Sequence, residues 1–366
     1  MGFCKTRLLS VGLAAALATS LLAACGGEGS GPSAFDPSAM QADLALTSGV
    51  ESDPTVSALA ATFDDMALAT GGSGLAVSTA GLFLKEPRST QSTEQMSSVM
   101  TALLRERRHP AINASVAIPP EVAGTTYEYD VTTDHWVATE RTGAPGNGVR
   151  FILYTVDGAQ AVVEPLDEIG YADLIDLSSG STASGRIVVV TDGTTWVDYR
   201  ADAAGDEVAG ELNVNGYVRL PGDQWLFDVS MEYAQNDTEY PSFDLSSTVE
   251  FPAHGVLIDV QLAKAAGATG MLSFTQRFES PNGRLDYAGG WSEETSPSLE
   301  IEVNGEPYAH LSGYEEADLV GNDGRLLTQE EKEVLMEAFL VGQVSAMTPL
   351  FLLAPMAGFV GGGMTF

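Results

Sequence analysis

Cysteine is almost missing from this chain: among 366 residues only Cys4 and Cys25 carry a thiol, both within the first 25 positions. A body without cysteine has no disulfide, no thiol nucleophile and no thiolate zinc site. Cations are scarce as well. Seventeen Lys and Arg face 50 Asp and Glu, for a formal net charge of −33 and a pI of about 4.1. A field of that sign repels a phosphate backbone, so nucleic acid is excluded as a partner. Histidine is limited to His109, His135, His254 and His310, each without a neighbouring His or Cys, and no His-Glu-x-x-His pattern occurs. No metal and no cofactor is expected from such a set.

What is present begins with an address. Lys5 and Arg7 precede an apolar stretch from Leu8 to Leu22, too short to span a bilayer comfortably. The stretch ends in Leu22-Ala23-Ala24-Cys25, which resembles the lipobox of bacterial lipoproteins. The resemblance covers residues 1–25 only. It implies cleavage before Cys25, a diacylglycerol on its sulfur, and an acyl chain such as palmitate on the new amine. Two or three chains, at about 0.8 kcal/mol per buried methylene, hold a protein to a membrane stably. Gly26 and Gly27 follow, with no Asp to retain the protein at the inner membrane. The expected location is therefore the cell envelope, at the outer membrane, facing the periplasm or the cell surface.

Residues 26–53 are Gly, Ser, Pro, Ala and acids without periodicity and read as a flexible tether. Residues 54–123 read as an N-terminal helical segment. Leu59, Phe63, Met66 and Leu68 form a short amphipathic stripe; Ser92 and Gln95, spaced as a capping box, open a second helix carrying Met96, Val99, Met100, Leu103 and Leu104. The cations Arg105, Arg107 and Arg108 close it before Pro110, where a helix dipole favours them.

Over residues 124–314 the period becomes two. Trp225, Phe227, Val229, Met231 and Tyr233 alternate with Leu226, Asp228, Ser230 and Glu232, and similar runs occur at 256–263 and 299–303. Each such run is a strand with one dry face and one wet, acidic face. Asn147-Gly148, Asp157-Gly158, Asp192-Gly193, Asn215-Gly216, Asn282-Gly283 and Asn304-Gly305 are the expected hairpin turns. About a dozen strands so joined make a mainly β fold with flanking helices, a large antiparallel meander curled into a barrel, half-barrel or sandwich.

Residues 315–366 form the C-terminal segment. Thr328 and Glu331 have capping-box spacing, and from Ala338 to Val360 no residue is charged. Pro349, Pro355, Gln343 and Ser345 argue against a membrane span. The expectation is a broken apolar helix covering the dry side of the sheet.

Four local patterns invite a catalytic or ligand reading and fail it. Residues 180–185 hold glycines and serines without the Gly-x-Ser-x-Gly spacing of a hydrolase elbow. Residues 143–148 are Gly-rich but lead into the strand Val149–Tyr154 rather than a helix with a Lys, and read as a tight turn. Asn322-Asp323-Gly324 faintly resembles half of an EF-hand loop, yet Leu319 and Gly321 occupy the first and third ligand positions. Paired carboxylates carry no weight when 50 acids are available.

The chain is thus expected to be a non-enzymatic structural or interaction lipoprotein whose partner is the membrane, through its anchor. The alternative is a binder or carrier of an apolar small molecule, an acyl chain or lipid, held by Trp225, Phe227, Phe274 and Phe278. That alternative is similar at fold level to envelope lipoprotein-carrier half-barrels, with no motif shared. An envelope hydrolase is the third reading.

Overall fold

A strand with one apolar face needs neighbours on both edges and a cover on that face. The computed structural model of the chain meets both needs; it describes residues 35–49, 53–69, 118–205, 209–234, 242–264, 272–292, 295–313, 319–322, 324–352 and 356. The strands are β1 (Thr126–Asp130), β2 (His135–Thr139), β3 (Gly148–Tyr154), β4 (Glu168–Asp176), β5 (Thr182–Thr191), β6 (Thr194–Gly205), β7 (Ala209–Leu220) and β8 (Asp223–Ala234). They continue as β9 (Ser242–Phe251), β10 (Val256–Lys264), β11 (Leu272–Ser280), β12 (Gly283–Ser292), β13 (Thr295–Val303), β14 (Glu306–Leu311) and β15 (Leu319–Gly321). All fifteen lie in one sheet, ordered from β15 down to β3 and then β1 and β2. The α-helices among the described residues are α1 (Pro37–Ala45), α2 (Pro54–Ala61), α3 (Phe63–Ala69) and α4 (Gln329–Phe351).

From β3 to β15 every strand pairs antiparallel with the next, as in the β7–β8 register Val218↔Trp225 to Leu212↔Met231. Of the dry side chains expected from the sequence, Trp225, Phe227, Val229, Ile258, Val260, Leu299 and Ile301 lie in the core, whereas Met231 is half-buried. The sheet is open, with β2 and β15 at its edges, so a closed barrel is ruled out. One pair breaks the meander. β1 runs parallel to β3, with Thr126↔Arg150 and Tyr127↔Phe151 in register, because β3 slots between the β1–β2 hairpin and β4.

That insertion corrects the reading of residues 143–148. They do not close a tight turn; residues 140–147 carry the chain from β2 past the start of β1 into β3. Arg141 in this connection binds Glu128 of β1 at 3.0 Å and both carboxylate oxygens of Glu168 on β4, so it bridges the strands flanking β3.

The turns divide into two ends. One end carries the short connections 192–193, 221–222, 252–255, 281–282 and 304–305, with the longer 131–134 and 155–167; this is the turn end. The opposite, loop end carries 140–147, 177–181 and the β6–β7, β8–β9, β10–β11 and β12–β13 connections. Asp192-Gly193 (φ 50° and 71°) and Asn304-Gly305 (φ 55° and 81°) are the left-handed pairs that two-residue hairpins require. Asn215-Gly216 is not a turn. It lies inside β7, where Gly216 meets Tyr199 of β6 so closely that a Cβ would overlap the Tyr199 backbone. The β7–β8 turn is Pro221-Gly222 instead, with φ 87° at the glycine.

Two further boundaries move. The expected tether at 26–53 contains α1, capped by Asp36 through the Ala39 N–H, with Met40 and Leu44 buried. Its apolar residues are too few to show periodicity in sequence, yet they seat on the β11–β12 turn, where Asn282 donates to both oxygens of Asp43. The β sheet also extends beyond residue 314 to Gly321. The helix expected at Ser92–Arg108 and the lipobox lie outside the described residues.

α4 explains how a sheet this wide is covered. Its start touches β14 through Glu331 and Tyr308, its middle touches β12 and β11, and its end reaches β6 through Leu352 and Tyr199. It therefore runs across the strands. From residue 331 to 352 the helix advances about 31 Å, while eight flat strand spacings measure about 38 Å. The helix is the chord and the sheet the longer arc, so the sheet curls around it. No helix among the described residues is long and apolar enough to cross a membrane. Pro349 does not break α4, contrary to expectation, because it falls in the final turn, where only the bond to the Ser345 carbonyl is lost.

The capping box at the start of α4 is made in both directions: the Glu331 N–H donates to Thr328 Oγ1 at 3.2 Å and the Thr328 N–H to Glu331 Oε2 at 2.7 Å. Burial alone would raise the Glu331 carboxyl, but the Tyr308 hydroxyl, the Thr328 N–H and the Arg325 guanidinium hold it below the usual range. A depressed folded pKa gives stability that is present above the unfolded value and lost as pH falls through the folded one. Glu331→Gln is expected to lower stability at neutral pH and to flatten its decline on acidification, read by denaturant unfolding across pH 3–7 (a range of about 4 units below neutrality).

The wet face is acidic, and Arg–Asp pairs across neighbouring strands dilute it, as in Arg150–Asp173 at 2.7 Å and Arg186–Asp198 at 2.6 Å. Glu211, Glu232 and Asp244, exposed on β7, β8 and β9, stand directly opposite one another. Like charges so placed destabilise a sheet by about 0.2–1 kcal/mol. Glu232→Gln is expected to raise stability by that order at low salt and to have no effect at high ionic strength, read by thermal unfolding.

Candidate functional site

The dry face beneath α4 is the candidate site, because it gathers the four aromatic residues singled out in the sequence. All four are buried. Trp225 and Phe227 lie on one face of β8 with ring centroids 4.9 Å apart, and Phe227 packs on Tyr199 of β6 at 6.1 Å. Phe274 of β11 meets Phe339 of α4 edge-on at 5.6 Å, and Tyr287 of β12 meets the same Phe339 at 5.9 Å. Phe278 is fully buried on β11, in the row of Ile258, Val249 and Phe227. The four form two groups rather than one pocket, since β8 and β11 are three strand spacings, about 14 Å, apart.

Three sheet side chains donate to backbone carbonyls of α4 or of the residue that follows it. Tyr287 binds Leu335 at 2.8 Å, Gln276 Nε2 binds Ala338 at 2.6 Å, and Tyr199 binds Leu352 at 2.7 Å. Burial pushes both phenols far above the ordinary tyrosine value, so they remain donors at any physiological pH. At its start α4 is held by Arg325, whose guanidinium lies 4.4 Å over the Tyr308 ring and 3.1 Å from Glu331. α1 adds Ser38 to Glu330 and Gln41 to Glu337.

The same face is not wholly apolar. Ser247, Gln276 and Tyr287 share one row across β9, β11 and β12, and α4 brings the buried Gln343, Ser345 and Thr348. Among the described residues Ser247 Oγ and Gln276 Oε1 have no hydrogen-bond partner. Sequence reading missed these residues, although a signal existed: Gln276 stands between Phe274 and Phe278, and Ser247 between Leu245 and Val249, each a polar residue in an apolar slot. Gly342 faces Gln276 so closely that a Cβ there would overlap the carboxamide.

The described histidines are scattered. His135 lies 3.2 Å from Asp65 of α3, His310 lies 3.0 Å from Glu300, and His254 lies 3.6 Å from the buried Asp223. Burial raises the Asp65 carboxyl despite its bond from the Trp136 N–H and the nearby His135. Among the described residues no three His, Cys, Asp or Glu side chains gather as metal ligands. Residues 177–181 form the β4–β5 turn, with no helix following. Asn322 donates its N–H to the Tyr308 carbonyl, which ties that segment to β14. No family model, curated protein or solved structure matches the chain.

The close approach of Gly342 and Gln276 predicts a sign change. Gly342→Ala gains about 1 kcal/mol of helix propensity but displaces a buried carboxamide, which costs about 1–3 kcal/mol. In the native chain it is expected to be neutral or destabilising; in a Gln276→Ala background it is expected to stabilise. A double-mutant cycle by denaturant unfolding reads the coupling. Phe339→Ala, which removes the ring shared by Phe274 and Tyr287, is expected to cost about 3–5 kcal/mol in the same assay.

Proposed function

We propose that this chain is a lipid-anchored cell-envelope protein whose body acts as a structural or interaction module rather than an enzyme. One observation carries the reading: the dry face that would receive an apolar ligand is occupied by the protein's own helix. Phe274 and Tyr287 are met by Phe339, Trp225 packs on Phe227, and Phe227 packs on Tyr199. A filled face of this kind is a core. The anchor rests on the Leu22-Ala23-Ala24-Cys25 resemblance, with the outer membrane as the proposed location, facing the periplasm or the cell surface.

A second reading is favoured by Ser247 Oγ and Gln276 Oε1, which lie unpartnered under α4. Buried polar atoms without partners are uncommon in cores and suit a face that meets a polar headgroup once the helix moves aside. In that case the site carries an amphiphile, an acyl chain or lipid.

Native mass spectrometry of protein from its own envelope separates the two. The expected result is a diacylglycerol-modified Cys25 and no second lipid. A co-purifying amphiphile at one per chain would transfer the reading to a carrier, and an unmodified Cys25 would remove the anchor. A broad esterase and glycosidase screen is expected to stay blank.

A further inference from the structure

An open sheet must protect its two outer strands, whose outward N–H and C=O groups otherwise pair with another chain. The two edges of this sheet are protected unequally. At the β15 edge the chain folds back on itself: the Gly324 N–H donates to the Gly321 carbonyl, and a Cβ on Gly321 would lie 2.7 Å from the Arg325 carbonyl oxygen. Where β14 runs on past β15, Pro307 has no N–H to offer.

Among the described residues the β2 edge has one guard. β2 pairs with β1 from Thr126↔Thr139 to Asp130↔His135. The Trp136 N–H points the other way and donates to Asp65 Oδ2 of α3 at 3.2 Å, while Asp65 Oδ1 reaches His135 Nδ1 at the same distance. Backbone groups alternate in direction along a strand, so Ala138 also turns its N–H and C=O outward. Ala138 is exposed, as is Val137. His135–Thr139 contains no Lys, Arg, Pro or acid, and its register with β1 has no bulge, so the usual means of blunting an edge are missing. Asp65 is held in place by packing: α2, which leads into α3, lies against β3 and β5, and Phe63 and Met66 of α3 are buried.

β2 is also complementary to itself. In an antiparallel pair of two copies centred on Val137, Trp136 of each copy stands opposite Ala138 of the other, and both residues present outward groups. On a chain with a net charge of −33, a strand free of carboxylates is where two copies can approach. A partner strand can take the Trp136 N–H only after the Asp65 carboxylate has left it.

We propose that β2 is a self-association edge kept closed by Asp65: a second copy of this chain pairs its own β2 there, antiparallel about Val137, once the Asp65–Trp136 bond is broken. The proposal stands apart from the anchored reading above, and neither fails with the other.

Val137→Cys reports the register directly. Facing residues of a non-hydrogen-bonded antiparallel pair lie about 4.5 Å apart at Cα, which a disulfide spans. The full-length chain carrying Val137→Cys is oxidised mildly, and the rate of bridged-dimer formation is followed on non-reducing gels. The unsubstituted chain reports any bridge through Cys4 or Cys25. High salt is used, because Asp134 and Glu140 of opposing copies meet at the ends of the pair. Adding Asp65→Ala is expected to speed bridging about tenfold or more, the effect of freeing one charge-assisted hydrogen bond. Asp65→Asn keeps an acceptor oxygen and His135→Ala keeps the Asp65–Trp136 bond, so both are expected to stay near the native rate. Ala138→Pro removes the second outward N–H without a loss to the β1 ladder, and with Asp65→Ala it is expected to restore the native rate. No increase with Asp65→Ala overturns the guard, and an increase that survives Ala138→Pro overturns the edge. An increase with Asp65→Asn or His135→Ala equal to that of Asp65→Ala overturns the N–H bond as the lock. Thermal unfolding checks the fold of each variant, and Asp65→Ser repeats the measurement if the alanine variant does not fold.

Discussion

The structure depends on seating one helix across a sheet that is too wide to be stable by itself. Fifteen strands have an apolar face that no single layer of side chains hides, and α4 supplies the cover by running across many of them. The contact is more than greasy packing, because Tyr287, Gln276 and Tyr199 each hold a helix carbonyl from a different strand. Hydrogen bonds at three points along the axis fix the rotation and the sliding position of the helix, which apolar contacts alone leave soft. Curvature of the sheet follows, since strands from β6 to β14 must reach one helix that is shorter than the flat sheet is wide.

Charge is arranged to leave that arrangement undisturbed. From Ala338 onward α4 has no ionisable side chain, so the helix itself brings no charge beneath the sheet. Its charged first turns lie where Arg325, Tyr308 and the polar side chains of α1 satisfy them. On the outer face the repulsion among carboxylates is relieved mainly by arginines reaching to the next strand. Each exposed pair contributes little, about 0–1 kcal/mol. Together they keep a pI near 4.1 compatible with a regular ladder.

Much of this was legible in the sequence because period-two alternation is a direct image of a two-faced sheet. Trp225, Phe227 and Val229 could face only one way once Asp228 and Glu232 faced the other. The capping box at Thr328 and Glu331 and the hairpins at Asp192-Gly193 and Asn304-Gly305 were equally plain, since local chemistry specifies them. Strand order at the β1 edge was not legible: nothing local tells β3 to insert beside β1 rather than follow β2. Asn215-Gly216 misled because the glycine serves a close approach to Tyr199, which only the neighbouring strand reveals. α1 was hidden by its length, for two buried apolar residues make no stripe. Of the site, the aromatic side chains were found and the polar ones were missed, because Gln276 and Ser247 acquire meaning only when a helix backbone lies over them.

The position of α4 in the chain has a bearing on biogenesis. The meander from β3 to β15 is built from neighbours in sequence and can form progressively as the polypeptide emerges. The bond from Tyr199 to Leu352 spans 153 residues, and the helix that covers the dry face follows all fifteen strands in the chain. Until then a nascent chain exposes an extended oily surface and cannot lock into its final form. The latch is made after the strands that it fastens, so the sheet closes only once its full width is present.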